Sequence, residues 1–279
     1  MKDFVARCNQ FAERTAIVSN NKKYLYADLL RGSAHIARLL LGTQPDLSEA
    51  RIAFFIPSSF EYVSTQWGIW RAGGVAVPLC ASHPLPSLEY VIRDTGAQIL
   101  LTTLEYRTFL EPLTETTAVK IICLEDLRAE ATPETLLPQV SPDRRSMILY
   151  TSGTTSLPKG VVSTHKNIQA QIEALTEAWE WSADDHILNV LPLHHVHGIV
   201  NILSCALWSG ACCTFLPKFD AAEVWAHFEQ DDLTLFMAVP TIYFKLITAF
   251  EQADSASRQK MSDSCKKFRL MVSGSAALP

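Results

Sequence analysis

No apolar run in this sequence reaches the roughly 20 residues that a membrane-spanning helix needs. The most apolar stretch, Gly198 to Cys213, is broken by Asn201, Ser204 and Ser209, and it reads as a buried helix. No basic stripe is present to neutralise a phosphate backbone, and 24 basic against 29 acidic residues leave a net charge of −5. Nucleic-acid binding is therefore disfavoured, and small anionic substrates require a local positive site. The seven cysteines (Cys8, Cys80, Cys123, Cys205, Cys212, Cys213, Cys265) are odd in number and show no C-x-x-C spacing. That excludes a thiolate metal centre of the usual form and predicts a reducing compartment. The opening MKDFVARCNQFAERTAIV has early acidic residues and neither a signal-peptide apolar core nor an Arg- and Ser-rich transit bias. A cytoplasmic location is the expectation. Internal repeats and low-complexity blocks are also lacking.

What is present is an ordinary globular composition, 48% apolar over 279 residues, enough for one large core or two smaller ones. Short β-branched runs alternate with helical patterns: strands at 51–57, 74–79, 97–103 and 119–125, with helices between them. That alternation predicts an α/β fold of mostly parallel sheets flanked by helices, in layered βα subdomains. A polar, Pro-containing connection at 130–145 is a candidate division between two sheet systems. Beyond it the predicted order is strand SMILYT, a polar loop, VVST, and a helix from about His165 to Trp181. ILNVLP, a helix, CCTFLP, AAEVWAHFEQ, TLFMAV, a helix after Pro240 and RLMVS complete the order.

Thr151 to Gly160, TSGTTSLPKG, follows directly on an apolar strand. Hydroxyls of Thr151, Ser152, Thr154 and Thr155 are donors, Gly153 lets backbone amides approach a ligand, and Lys159 supplies a point charge. The loop is suited to a polyphosphate. It is not a Walker P-loop, because Lys159 precedes the second Gly and no Ser or Thr follows it. On composition alone, a plain Ser/Thr/Gly surface turn is the competing reading. A second cluster, His194, His195 and His197 in LPLHHVHG, lacks the carboxylate or thiolate partners that a metal site needs. These rings are either hydrogen-bonded packing groups or carboxylate-orienting groups. Further on, Met237, Val239 and Pro240 read as strand-end core. Lys245 lies about one helical turn past Pro240 among apolar neighbours, as either a solvated cation or a buried one.

LYTSGTTSLPKGVV resembles the phosphate-binding signature of adenylate-forming enzymes, a group that includes acyl-CoA synthetases, luciferases and peptide-synthetase adenylation domains. One departure is Ser156, where the family usually has Gly. The resemblance to the malonyl-CoA synthetase type extends over YTSGTTSLPKGVVSTHKNIQAQI, VLPLHHVHGIVN, FMAVPTIYFKL and RLMVSGSAALP. It implies an ATP-dependent acid–CoA ligase, using ATP, Mg²⁺ and CoA, that joins a carboxylate to AMP and then to a thiol. By residue it implies that Thr151, Ser152, Gly153, Thr154, Thr155 and Lys159 hold phosphates, with Mg²⁺ arriving with ATP near Thr151. Lys159 and His195 are the implied catalytic residues, His195 orienting the carboxylate. His195, His197, Val239, Lys245, Ser273, Gly274 and Ser275 line the acyl and adenine pocket, and Lys245 would bind the distal carboxylate of malonate. The family's Tyr-Gly-x-Thr-Glu stretch, ribose-binding Asp and lid domain fall past the equivalent of Pro279. Residues 1–279 then correspond to the front part of the adenylation domain, and the expectation is that this chain alone has little synthetase activity. The alternatives are a short- or medium-chain or aryl-acid CoA ligase, or a non-catalytic nucleotide- or partner-binding remnant.

Overall fold

A computed structural model describes residues 2–129, 136–151, 157–230 and 232–276. Ser152, Gly153, Thr154, Thr155 and Ser156 of the predicted phosphate loop lie outside the described residues. The described strands are β1 (Thr15–Ser19), β2 (Lys22–Leu25), β3 (Arg51–Phe55), β4 (Val75–Pro78), β5 (Ile99–Thr102), β6 (Lys120–Cys123), β7 (Arg145–Thr151), β8 (Lys159–Thr164), β9 (His186–Asn189), β10 (Cys212–Phe215), β11 (Leu235–Ala238) and β12 (Leu270–Ser273). They form two six-stranded sheets, ordered β6-β5-β3-β4-β7-β8 and β12-β11-β9-β10-β1-β2. Every pairing is parallel except the hairpins β7–β8 and β1–β2. The α/β, mostly parallel architecture is the one the alternating pattern predicts.

The chain divides into two compact units, one of residues 1–12 and 26–170, the other of 13–25 and 171–279. The first sheet belongs to the first unit and the second sheet to the second. The division therefore does not fall at 130–145, where the sequence suggested it. That connection leads from β6 to β7, a strand of the same sheet beside β4. Its end is tied inside the first unit: Arg144 grips Asp46 through two nitrogens at 2.7 and 2.9 Å, and Arg145 Nε donates to Glu49 at 2.8 Å. Hydrogen bonds from Arg144 hold the Asp46 carboxyl below the usual range. A polar composition marked this stretch as surface, but ion pairs of long sequence separation decide to which sheet it returns.

In the first unit, strand residues Ala53, Phe55, Val77 and Leu100, with Leu79 just past β4, are buried together with Leu88, Val91 and Ile92 of the helix Leu85–Thr95. Parallel strands covered on both faces read as continuous apolar runs, which is why RIAFF and ILLT lack strict alternation. In the second unit Ile17, Ile187, Leu188, Cys213, Phe215, Leu235, Phe236 and Met237 are buried in the same way. The apolar stretch after His195 is helical and buried, as expected. Its first part, His197–Ser204, is a π-helix that continues as an α-helix, Cys205–Ser209. No helix among the described residues is long and apolar enough to cross a membrane.

Candidate active site

Within the second unit, β9, β10, β11 and β12 run parallel, so the loops that follow them leave from one edge of the sheet. In open α/β sheets that carboxyl edge is where ligands bind. These loops carry His194–His197 after β9, Phe219 after β10, Val239 after β11, and Gly274–Ser275 after β12. Sequence-distant candidates are thereby gathered by topology.

His197 is buried, and its Nδ1 lies 3.1 Å from Ser275 Oγ. Burial holds the imidazole below its ordinary pKa, so the ring is neutral near pH 7. Gly274 lies against this ring, where an added Cβ would come within 3.1 Å of His197 Cε1. The Gly274 amide donates to the Ala238 carbonyl at 3.1 Å, and Ser275 takes a left-handed backbone with φ of 69°. The following Gly198 is fixed more strictly, since a Cβ there would stand 2.5 Å from the Pro192 carbonyl oxygen. This close approach seats the first turn of the π-helix against the Pro192 backbone of the β9 loop. Such helices, with hydrogen bonds one residue longer than the α form, occur often at functional sites.

His195 is exposed and lies beside His194, with ring centroids 4.2 Å apart. Of the histidines, the structure thus ties His197 to the Gly-Ser loop and leaves His195 at the surface of the edge. Val239 is half-buried and caps the helix Pro240–Gln252. Tyr243, one turn on, is within 3.0 Å of the Val272 carbonyl and anchors this helix to β12. Lys245 is exposed, with its ammonium 5.6 Å from the centre of the Phe219 ring. Of the two sequence readings, the structure gives Lys245 the solvated one, with an aromatic face beside it. Sequence reasoning missed Phe219 and Tyr243. Tyr243 sits among apolar neighbours and Phe219 between Lys218 and Asp220 in a loop, and only the fold brings Phe219 to Lys245.

Along β9–β12, two buried polar atoms at this edge have no partner among the described residues, Asn189 Nδ2 at the end of β9 and Ser273 Oγ at the end of β12; Ser19 Oγ, at the end of β1 beside β10, is a third on the same sheet. Buried polar groups are nearly always satisfied, so an orphaned pair at a loop-lined edge fits a site that expects a polar ligand.

The phosphate-loop flanks belong to the first unit. Thr151 closes β7 and Lys159 opens β8, and the two are register partners across the hairpin. Both are exposed. A hydroxyl and an ammonium at register-paired positions flanking a Ser/Gly/Thr-rich segment suit a polyphosphate. Among the described residues no cluster of three His, Cys, Asp or Glu could hold a metal ion.

The fold and these loops define the class. Residues 4–279 match the family model described as AMP-binding enzyme, and the chain belongs to that family. Its relatives are narrower in kind. It is 41% identical over 292 residues to "Malonate–CoA ligase ACSF3, mitochondrial" of Xenopus laevis, with 98% of this chain and 50% of that protein covered. It is 42% identical over 288 residues to the Homo sapiens protein of the same name, with 98% and 50% covered. Among solved structures, ATP-bound MatB from Rhodopseudomonas palustris is similar, at 26% identity and a TM-score of 0.85, covering 99% of this chain and 55% of that one. The chain spans about half the length of the curated relatives it matches.

Proposed function

We propose that this chain is the nucleotide- and acid-binding half of an AMP-forming acid–CoA ligase whose acid is malonate. The observation that carries the reading is the carboxyl edge of the second sheet. Along it lie a neutral buried imidazole, a Gly-Ser loop packed on it and two orphaned polar atoms, with Lys245 on the helix that follows β11. The identity to malonate–CoA ligases along 98% of the chain supports the choice of acid.

In this reading a substrate carboxylate attacks the α-phosphorus of ATP, pyrophosphate departs, and the CoA thiol then displaces AMP from the acyl-adenylate. Positioning and charge stabilisation do most of the work. Lys159, Thr151 and the intervening Ser152, Gly153, Thr154 and Thr155 hold the β- and γ-phosphates, and Mg²⁺ enters with the nucleotide as its counter-ion. His195, exposed at the edge, orients the attacking carboxylate. His197 and Ser275 lock the β9 loop to the β12 loop, so that Ser273 and Gly274 face the acyl-adenylate. Lys245 recognises the second carboxylate of malonate, and the Phe219 ring limits where its ammonium can go. The exposure of Lys245 also favours a second reading, in which the acid is a short- or medium-chain monocarboxylate and Lys245 is merely solvated.

A full-length protein carrying Lys245→Ala decides between them. We expect malonate-dependent AMP formation to fall by about a hundredfold in kcat/KM, because one partner of a charge-assisted pair is lost, with ATP affinity retained. Unchanged malonate use would eliminate the malonate reading.

None of the seven cysteines is in a disulfide. We propose a reducing setting, the cytoplasm, for the protein. The vertebrate relatives are named as mitochondrial, and the matrix is equally reducing, so fractionation of native cells is the deciding test.

A further inference from the structure

Tyr150 immediately precedes Thr151, and Pro158 immediately precedes Lys159. Each of these two positions is tied to the same helix, Leu85–Thr95. The Tyr90 hydroxyl donates to the Pro158 carbonyl at 2.9 Å, and the Tyr150 hydroxyl donates to Asp94 Oδ2. Tyr90 and Asp94 are four apart and share one helix face. The two rings meet edge to face, with centroids 6.2 Å apart and planes at 82°. Both rings pack on the apolar core that holds Leu88, Val91 and Ile92, so neither swings freely. The helix itself is stopped by Gly96 in the left-handed conformation, and its end is gripped by Arg51 Nε on the Thr95 carbonyl at 2.8 Å.

We propose that Tyr90 and Tyr150, with Asp94, form a clamp of positioning residues that fixes Thr151 and Lys159 for the phosphates of ATP. The inference rests on the nucleotide-binding reading above. Its physical basis is pre-organisation. A hydroxyl and an ammonium that must meet the same polyphosphate lose affinity if their separation has to be set during binding. The β-pair Thr151–Lys159 sets their register, and the phenols moor both strands to a helix seated in the core. Neither phenol is asked to touch the nucleotide. The Tyr150 phenol, raised well above its ordinary pKa by burial and by the Asp94 carboxylate, stays protonated as the donor.

The test is the dissociation constants of Mg·ATP and of AMP, by titration calorimetry on the full chain, for the native protein, Lys159→Ala, Tyr90→Phe, Tyr150→Phe and Asp94→Ala. Asp94 is exposed, so its variant keeps the fold even if a tyrosine variant does not. The clamp predicts Mg·ATP binding weakened about three- to tenfold in Tyr90→Phe and Asp94→Ala, the range expected for one hydrogen bond. AMP binding is unchanged, because AMP lacks the β- and γ-phosphates. If ATP and AMP affinities fall together, or neither falls, while Lys159→Ala still weakens ATP, the clamp is wrong and the nucleotide reading stands. If Lys159→Ala leaves ATP binding untouched, the nucleotide reading fails and the clamp with it.

Discussion

At the amino-terminal edge of the second sheet a buried carboxylate is met by several donors, although Trp181 Nε1 nearby has no partner among the described residues, whereas at the carboxyl-terminal edge Asn189 Nδ2 and Ser273 Oγ are buried without partners. At the first edge Asp185, almost fully buried, accepts from Arg269 Nε at 2.7 Å and Nη2 at 2.6 Å, from Thr234 Oγ1 at 2.7 Å and from the Ser182 amide at 2.8 Å. Burial pushes its carboxyl up, but these donors outweigh it and leave the group below its ordinary range. At the other edge stand a left-handed Ser275, exposed His195, and exposed apolar side chains such as Val196 and Phe244. The same four strands carry both edges. A buried ion pair fixes the strands where they begin, while exposed loops and the His197–Ser275 contact stand where they end, which is the division expected when one edge holds the site.

The largest test of that contrast is Arg269→Ala. Removing the cation strands a buried carboxylate, and loss of one partner from a buried pair costs about 3 kcal/mol. Urea unfolding should show a lowered midpoint with an unchanged slope, and a midpoint equal to that of the native protein would break the comparison.

Next in size is acidification, which separates the edges by pH window. His197 has a folded pKa below its ordinary 6.5. Below pH 6.5 the unfolded chain therefore binds a proton that the folded chain refuses, and stability falls as pH falls. Asp185 has a folded pKa below its ordinary 3.8, so its contribution is intact above that value and is lost only as pH falls through the folded pKa. Hydrogen exchange at pH 5 compared with pH 7 should thus loosen residues 190–204 while the turn at 182–185 keeps its protection. Loosening of both edges together would remove the distinction.

The smallest effect belongs to Ser275→Ala, which deletes the His197 partner and keeps the strained backbone. About 1 kcal/mol of stability should be lost, and the titration of His197, followed by NMR, should shift. A ring that titrates as before would show that the serine does not hold it.

Much of the site was legible because its chemistry is local. TSGTTSLPKG places hydroxyls, a glycine and a lysine in a row, the pattern on which the phosphate reading rests, whereas the packing of Gly274 on His197 was not written in either motif. Less was legible about which histidine does what. His194, His195 and His197 look alike in sequence, and burial against Gly274 and Ser275 singles out His197. Lys245 was equally ambiguous, since the ring that faces it, Phe219, comes from another strand's loop.

From residue 51 onward the sequence by itself determined the order of the strands, because strand and helix periodicities are written in neighbouring residues, whereas β1, β2 and the helices around them emerged only in the structure. The sequence also determined the family, because a long motif constrains many positions at once. Only the tertiary structure decided the sheet order: β1 near the amino terminus pairs with β10, and β7 after the polar connection returns to β4. Pairing partners depend on which apolar faces bury together and which distant ions meet, as Arg144 meets Asp46 and Arg269 meets Asp185, and no local pattern encodes such encounters.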